Sequence, residues 1–120
     1  MRLQFERLSG AICAVLTAPG ECDRIVEVAR ASDAFGALAL DVDPRAFKPL
    51  DALLTFARVV CVEIERRNSG WRVEVTYWSG TTGALAQYET EAASLIAALA
   101  RAIRNTALPQ RASESGARWR

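Results

Sequence analysis

Two segments in which apolar and polar residues alternate constrain this chain more than any other feature. They cover residues 60–64 and 71–77, and Asn68-Ser69-Gly70 lies between them. Such alternation is typical of strands with one buried face, and the intervening residues favour a tight turn. The pattern therefore predicts an antiparallel β-hairpin.

Its register is limited to two alternatives by the apolar residues. A two-residue loop pairs Asn68 with Trp71, and a four-residue loop pairs Arg66 with Trp71. Both put the two apolar sets on one face, whereas a three-residue loop puts them on opposite faces and is rejected. In either register the outer face is charged, with Glu65 and Arg67 near Arg72.

Helical patterns follow and precede the hairpin. Asp43-Pro44 predicts a helix start, but Pro49 would interrupt a helix that began there, so the alternative is a main helix over 49–57. Apolar residues at helical spacing predict a further helix from Thr90 to about residue 105. Residues 84–88 fit a third strand or the start of the last helix.

The first forty residues are less distinctive. Residues 2–6 predict a strand, 20–34 a helix and 38–42 a strand. Residues 8–18 fit either a helix or a strand paired back on 2–7, and we favour the helix. The whole pattern predicts a small single α+β domain over 1–106, with an antiparallel hairpin or meander and helices packed on one face. Residues 107–120 are predicted to be a disordered tail containing Arg111, Arg118 and Arg120.

Composition narrows the setting. Half of the residues are apolar, yet the sequence contains no run of 18 or more apolar residues, the length needed to span a membrane. The acidic Glu6 close to the N-terminus is not typical of a signal peptide. We expect a cytoplasmic protein. Fourteen of the fifteen basic residues are arginine, and alanine is abundant, which indicates a GC-rich bacterial or phage genome. Three cysteines without CxxC spacing predict neither disulfides nor a zinc site.

Catalytic signatures are missing from the sequence. The chain has no histidine, the usual acid–base residue at neutral pH. Glu63 and Glu65 share one strand face, but neighbouring arginines predict ion pairs rather than catalysis. Asp41 and Asp43 lack a third metal ligand, and the 79–83 loop lacks the lysine of a phosphate loop. We therefore expect that the protein is not an enzyme and binds neither a metal ion nor a cofactor.

The predicted order helix–strand–strand–strand–helix over 49–105 resembles the topology of double-stranded-RNA-binding domains. That family places a cluster of lysines at the start of its last helix. Here the corresponding residues are Glu89-Thr90-Glu91-Ala92-Ala93, whose acids repel phosphate. The resemblance therefore implies a topology without the RNA-binding residues.

These observations favour binding to another protein as the function. Trp78 is predicted on the outer hairpin face, where an exposed tryptophan is a typical binding hot spot. We expect a non-catalytic module that occupies a partner's surface, as an inhibitor such as an anti-CRISPR-like or immunity protein, or as an adaptor. Its predicted partner-binding residues are Trp78, Glu63, Glu65, Arg66, Arg67 and Arg72.

The alternative is a nucleic-acid-binding protein that uses Arg66, Arg67, Arg72 and the basic tail. Against it, residues 1–60 carry eight acids and seven bases, so no basic footprint stands out. Homodimerisation through a hairpin edge strand or the alanine-rich last helix is compatible with either function.

Overall fold

The computed structural model describes residues 1–107, which form one six-stranded antiparallel sheet with helices. The strands are β1 (Arg2–Leu8), β2 (Ala11–Thr17), β3 (Arg24–Val28), β4 (Val59–Arg67), β5 (Gly70–Trp78) and β6 (Leu85–Ala92). The helices are α1 (Asp33–Ala37), α2 (Phe47–Thr55) and α3 (Leu95–Ala102), and a π-helical turn (Ile103–Ala107) continues α3. The predicted α+β class is confirmed. Almost all of the predicted tail lies outside the described residues.

The strands lie in the order β3-β2-β1-β4-β5-β6. The chain therefore builds each half of the sheet from three consecutive strands, and each half is followed by helices. Strands β1 and β4 meet in the centre, with Phe5 opposite Val62 and Leu3 opposite Ile64. These four side chains are fully buried.

All three helices contribute to a single core on one face of the sheet. Phe35 of α1, Leu53 of α2 and Leu99 of α3 are buried in the same cluster as the inward residues of the strands. The ring of Phe35 meets that of Phe5 edge-on, at 6.2 Å between centroids, and stacks on that of Phe47 at 5.4 Å. The helices therefore leave the other sheet face uncovered by any described element.

The central hairpin has one of the two predicted registers. Arg66 lies opposite Trp71 and Arg67 opposite Gly70, so the turn contains only Asn68 and Ser69. The two apolar sets share the inner face, as predicted. A side chain at position 70 would collide with the backbone carbonyl of Ala92, so the close approach of β6 requires this glycine.

One detail of β4 differs from the alternation that predicted it. The register shifts between Val59 and Cys61, and Val59 is buried while Val60 is only half-buried. The expectation that Val60 points into the core is therefore wrong, because the irregularity changes the phase of the strand before Cys61.

The N-terminal region differs more. Residues 11–17 form a strand rather than the favoured helix, and residues 24–28 form another where a longer helix was predicted. Ile12, Ala14 and Leu16 point into the core in strand alternation. The helix predicted over 20–34 is wrong, since β3 occupies its middle and α1 shares only residues 33 and 34 with it, and 38–42 contains no strand. Strand pairing decides that residues 11–17 are a strand. β2 lies between β1 and β3, and its backbone groups form hydrogen bonds with both neighbours.

The last helix also begins later than predicted. Strand β6 continues to Ala92, and Ser94, not Thr90, caps α3 by accepting a hydrogen bond from the Ala97 backbone amide at 3.2 Å. Glu89 and Glu91 consequently lie on a strand. The predicted Asp43 cap is confirmed, since its carboxylate accepts from the Arg45 amide at 3.0 Å.

Arg7 fixes the end of α2 against the sheet. Its guanidinium donates to the carbonyls of Leu54 at 2.9 Å and Phe56 at 3.1 Å, and also to those of Ala57 and Val59. A cation at this place satisfies carbonyls that the helix leaves without partners and complements its dipole. Arg7 thereby joins β1, α2 and β4.

The hairpin is internal in the sheet, because β4 pairs with β1 and β5 pairs with β6. Its strands are therefore not the free edges expected for dimerisation. The free edges belong to β3 and β6. Among residues 1–107, no helix has the length and apolar character needed to cross a membrane.

Candidate functional site

The uncovered side of the sheet, which we call the outer face, carries the side chains that alternate with the core residues. In the C-terminal half, three strands place polar and charged residues there in register. They are Glu63, Glu65, Arg67, Arg72, Glu74, Thr76, Gln87, Glu89 and Glu91. The sequence predicted the contribution of the hairpin to this face but not that of β6.

Arg72 lies at the centre of this charged region. Its side chain is only 7% exposed although no described element covers it, because carboxylates surround the guanidinium. It donates to Glu65 at 2.9 Å, to Glu89 at 2.9 Å and to Glu63. Glu74 lies at 3.9 Å. One cation therefore serves four carboxylates.

The ionisation of this cluster follows from its hydrogen bonds. The pKa of Glu65 lies below its ordinary value, chiefly because Arg72 donates to the carboxylate. Burial opposes this effect less strongly, and the hydrogen bond from Arg67 adds a still smaller lowering. Burial by itself lowers the pKa of Arg72, but the bonds to its carboxylates outweigh it and raise that pKa. Glu65 and Arg72 are therefore both charged at neutral pH.

The carboxylates are arranged in a way that strand pairing alone disfavours. Glu63 lies directly opposite Glu74, which lies directly opposite Glu89 on the next strand. Like charges in such positions repel, by up to about 1 kcal/mol for each pair. Arg72 lies on one side of this row of three glutamates. The residues on the other side of the row are Cys61, Thr76 and Gln87, which include no cation, so the row is neutralised from one side only. The region therefore keeps a negative excess.

The three predicted arginines do not lie together. Arg67 and Arg72 are both on the outer face, where Arg67 forms ion pairs with Glu65 at 3.1 Å and Glu91 at 3.2 Å. Arg66 lies on the helical side, and its guanidinium carbon is 5.7 Å from the centroid of the Trp71 ring. Of the six predicted partner-binding residues, Arg66 alone lies away from the outer face.

Trp78 is on the outer face, as predicted, and 49% exposed. It lies directly opposite Leu85, which is 54% exposed. The hairpin alternation also predicts that Trp78 lies beside Cys61 or Glu63, and this is wrong because Thr76 lies opposite Cys61. Six residues separate Trp78 from Arg72 along the strand, a distance of about 20 Å. The apolar pair therefore occupies one end of the charged region.

The two cysteines on the outer face flank a carboxylate, since Glu6 lies opposite Cys13 on one side and Cys61 on the other. Burial raises the pKa of the Cys61 thiol, and the nearby carboxylates of Glu6 and Glu63 add to the effect against a hydrogen bond with Gln4. A protonated thiol is a poor nucleophile. This environment gives Cys61 no activation.

Asp43, one of the two carboxylates considered for a metal site, has another role. Asp43 caps the turn before α2 and forms an ion pair with Arg45 at 2.8 Å, and the hydrogen bonds from Arg45 lower the Asp43 pKa. Within residues 1–107, no group of three or more acidic or thiol side chains is placed to hold a metal ion.

Sequence reasoning missed Leu85, Glu89 and Glu91 as members of the outer face. Glu89 and Glu91 alternate with Tyr88 and Thr90, which is a strand signal, but the apolar stripe of the following helix obscured where that helix begins. Arg7 was also missed. The sequence did contain an indication of its role, since Arg7 continues the alternation of the inward residues Leu3 and Phe5 and is therefore a cation on the inner face of the strand.

Comparison of the chain with models of known protein families, with curated proteins and with solved structures found no match. The function therefore has to be argued from the outer face itself.

Proposed function

We propose that this chain is a non-catalytic protein-binding module of bacterial or phage origin. It acts in the cytoplasm by occupying a partner protein's surface with its outer face. An inhibitor, such as an anti-CRISPR-like or immunity protein, or an adaptor would act in this way. The binding residues within the outer face are Trp78 with Glu63, Glu65, Arg67 and Arg72, joined by Leu85.

The observation that carries the proposal is the exposed pair of Trp78 and Leu85 on an uncovered sheet face. Tryptophan contributes more binding energy than most residues at protein interfaces, and such anchors are surrounded by polar residues. Here the polar residues are held in place before binding, since Arg72 and its carboxylates form a fixed network. A rigid surface loses little conformational entropy on association.

The charges of the outer face favour a protein over a nucleic acid. Arg67 and Arg72 are engaged by carboxylates, and Arg66 lies on the other side of the sheet. A phosphate approaching Arg72, whose side chain is only 7% exposed, would meet Glu63, Glu65 and Glu89 first. The basic tail of the alternative lies outside the described residues.

The test is affinity capture from a lysate of the native host, or of the bacterium that its phage infects, after nuclease treatment. Wild type, Trp78→Ala and Lys48→Ala are compared, since Lys48 is exposed on the helical side and serves as the matched control. Circular dichroism checks that all three are folded. We expect a stoichiometric protein partner with wild type and Lys48→Ala that is lost with Trp78→Ala.

Equal capture by Trp78→Ala and wild type would contradict the assignment to the outer face. Recovery of nucleic acid alone, or of partners that disappear on nuclease treatment, would favour the alternative instead.

A further inference from the structure

From the charges of the outer face we infer that the partner's bound segment is cationic, a stretch of polypeptide rich in arginine or lysine with an apolar residue beside it. This inference rests on the proposed function, because it names the chemistry of the partner at the same face.

The first support is the charge imbalance across the whole outer face. Seven glutamates lie on it, against three arginines. The glutamates are Glu6, Glu27, Glu63, Glu65, Glu74, Glu89 and Glu91, and the arginines are Arg2, Arg67 and Arg72. Glu6 and Glu27 form no ion pair with any residue between 1 and 107. A surface of one sign attracts and orients a partner of the opposite sign.

The second support is the row of Glu63, Glu74 and Glu89. These carboxylates lie side by side on adjacent strands, and Glu74 is the least well compensated, since its one cation contact within residues 1–107 is the 3.9 Å approach of Arg72. A partner's guanidinium or ammonium above Glu74 would remove the mutual repulsion of the row. The free chain keeps this repulsion, so relief of it adds to the affinity for a cation and not for an anion.

The third support is the apolar pair at the end of the same region. Glu74 and Trp78 are four residues apart on one strand face, or about 13 Å. A partner segment with a cation and an apolar side chain at that separation reaches the row of carboxylates and the Trp78–Leu85 pair together. Apolar contact at one end and ion pairs at the other give both affinity and orientation.

The test uses two synthetic peptides of equal length, one of alternating arginine and alanine and one with glutamate in place of arginine. Binding to the full chain is measured by calorimetry, and amide shifts in NMR locate the site. The variants are Glu74→Gln and Asp41→Asn. Each removes one negative charge, but Asp41 is exposed away from the outer face. Glu74→Gln also leaves the three closest bonds of Arg72 in place.

We expect the arginine peptide to bind with shifts on β4, β5 and β6, and the glutamate peptide not to bind. Affinity should fall between about 0.01 M and 0.15 M salt, where the Debye length shortens from about 30 Å to 8 Å. Glu74→Gln should bind about fivefold more weakly than Asp41→Asn, as expected for one accessible ion pair.

Equal affinities of Glu74→Gln and Asp41→Asn, or no binding of the arginine peptide, would overturn the inference. So would binding of a duplex DNA probe at this face. The proposed function fails separately, because it depends on a captured partner that Trp78→Ala loses. A partner that needs Trp78 but is insensitive to salt and to Glu74→Gln would keep the module and remove the cationic segment.

Discussion

The two halves of the sheet share one construction, yet their outer faces differ. Strands β1–β3 place mostly uncharged side chains there, among them Cys13, Val15, Thr17 and Ile25, and their charged residues Arg2, Glu6 and Glu27 form no ion pair within residues 1–107, whereas β4–β6 place the cluster around Arg72 on theirs. Both halves bury an equivalent apolar inner face under helices. The N-terminal half shows that this fold does not need a charged outer face, so the charges of the C-terminal half are available for another purpose.

The inner faces set the largest effect. Phe35→Ala removes the ring that packs between Phe5 and Phe47, and we expect a loss of about 3–5 kcal/mol in the free energy of unfolding. Leu99→Ala, the matched change under the C-terminal half, should cost about 2–5 kcal/mol. Both are measured by urea unfolding. A loss below about 1 kcal/mol for either would show that its half of the core is not closely packed.

The next effect separates the two outer faces. Arg72→Met leaves four carboxylates without their shared cation, and we expect a loss of about 2–3 kcal/mol, less than for a fully buried pair because the carboxylates reach solvent. Unneutralised carboxylates have raised pKa values in the folded state, so the variant should regain stability as pH falls through the glutamate range. Arg2→Met, an exposed change on the same face, is the control. Equal unfolding midpoints for the two variants would contradict this role of Arg72.

A smaller effect follows from the lowered pKa of Glu65. A carboxylate with a lowered folded pKa stabilises the fold above its ordinary value of 4.5 and loses that contribution as pH falls through the folded value. Glu65→Gln should therefore cost about 1 kcal/mol at neutral pH, and its stability should converge with that of the wild type as pH falls below 4.5 and through the lowered folded value. Unfolding curves across this pH range measure the convergence. A constant difference at every pH would show that ionisation of Glu65 contributes nothing.

The smallest expected change in stability tests the outer face of the N-terminal half, formed by β1–β3. Ile25 is 67% exposed on an edge strand, so Ile25→Glu should change the free energy of unfolding by no more than about 0.5 kcal/mol. It should also leave capture of a Trp78-dependent partner intact. A large loss of stability would mean that the N-terminal outer face has a structural role after all, and the contrast between the halves would then weaken.

The local sequence determined the central hairpin and two helices. Two apolar sets of period two, joined by a short polar turn, allow only registers that keep both sets inside, and one of these is observed. Residues 49–57 and the apolar stripe after Ser94 likewise carry enough helical periodicity to identify α2 and α3. The outer-face position of Trp78 follows from the same alternation, whereas its 49% exposure depends on the outer face being left uncovered.

Only the tertiary structure decided the form of residues 8–34, the end of β6 and the members of the outer face. The apolar residues between 8 and 18 fit both helical and strand spacing, so the choice depended on whether β1 offered a pairing edge. Glu89 and Glu91 lie in the Arg72 cluster for a similar reason. Pairing with β5 extends β6 to Ala92, past Thr90, where the local sequence predicted the start of a helix. Backbone hydrogen bonds between distant segments overrode weak local preferences, and that information is not contained in any one stretch of the chain.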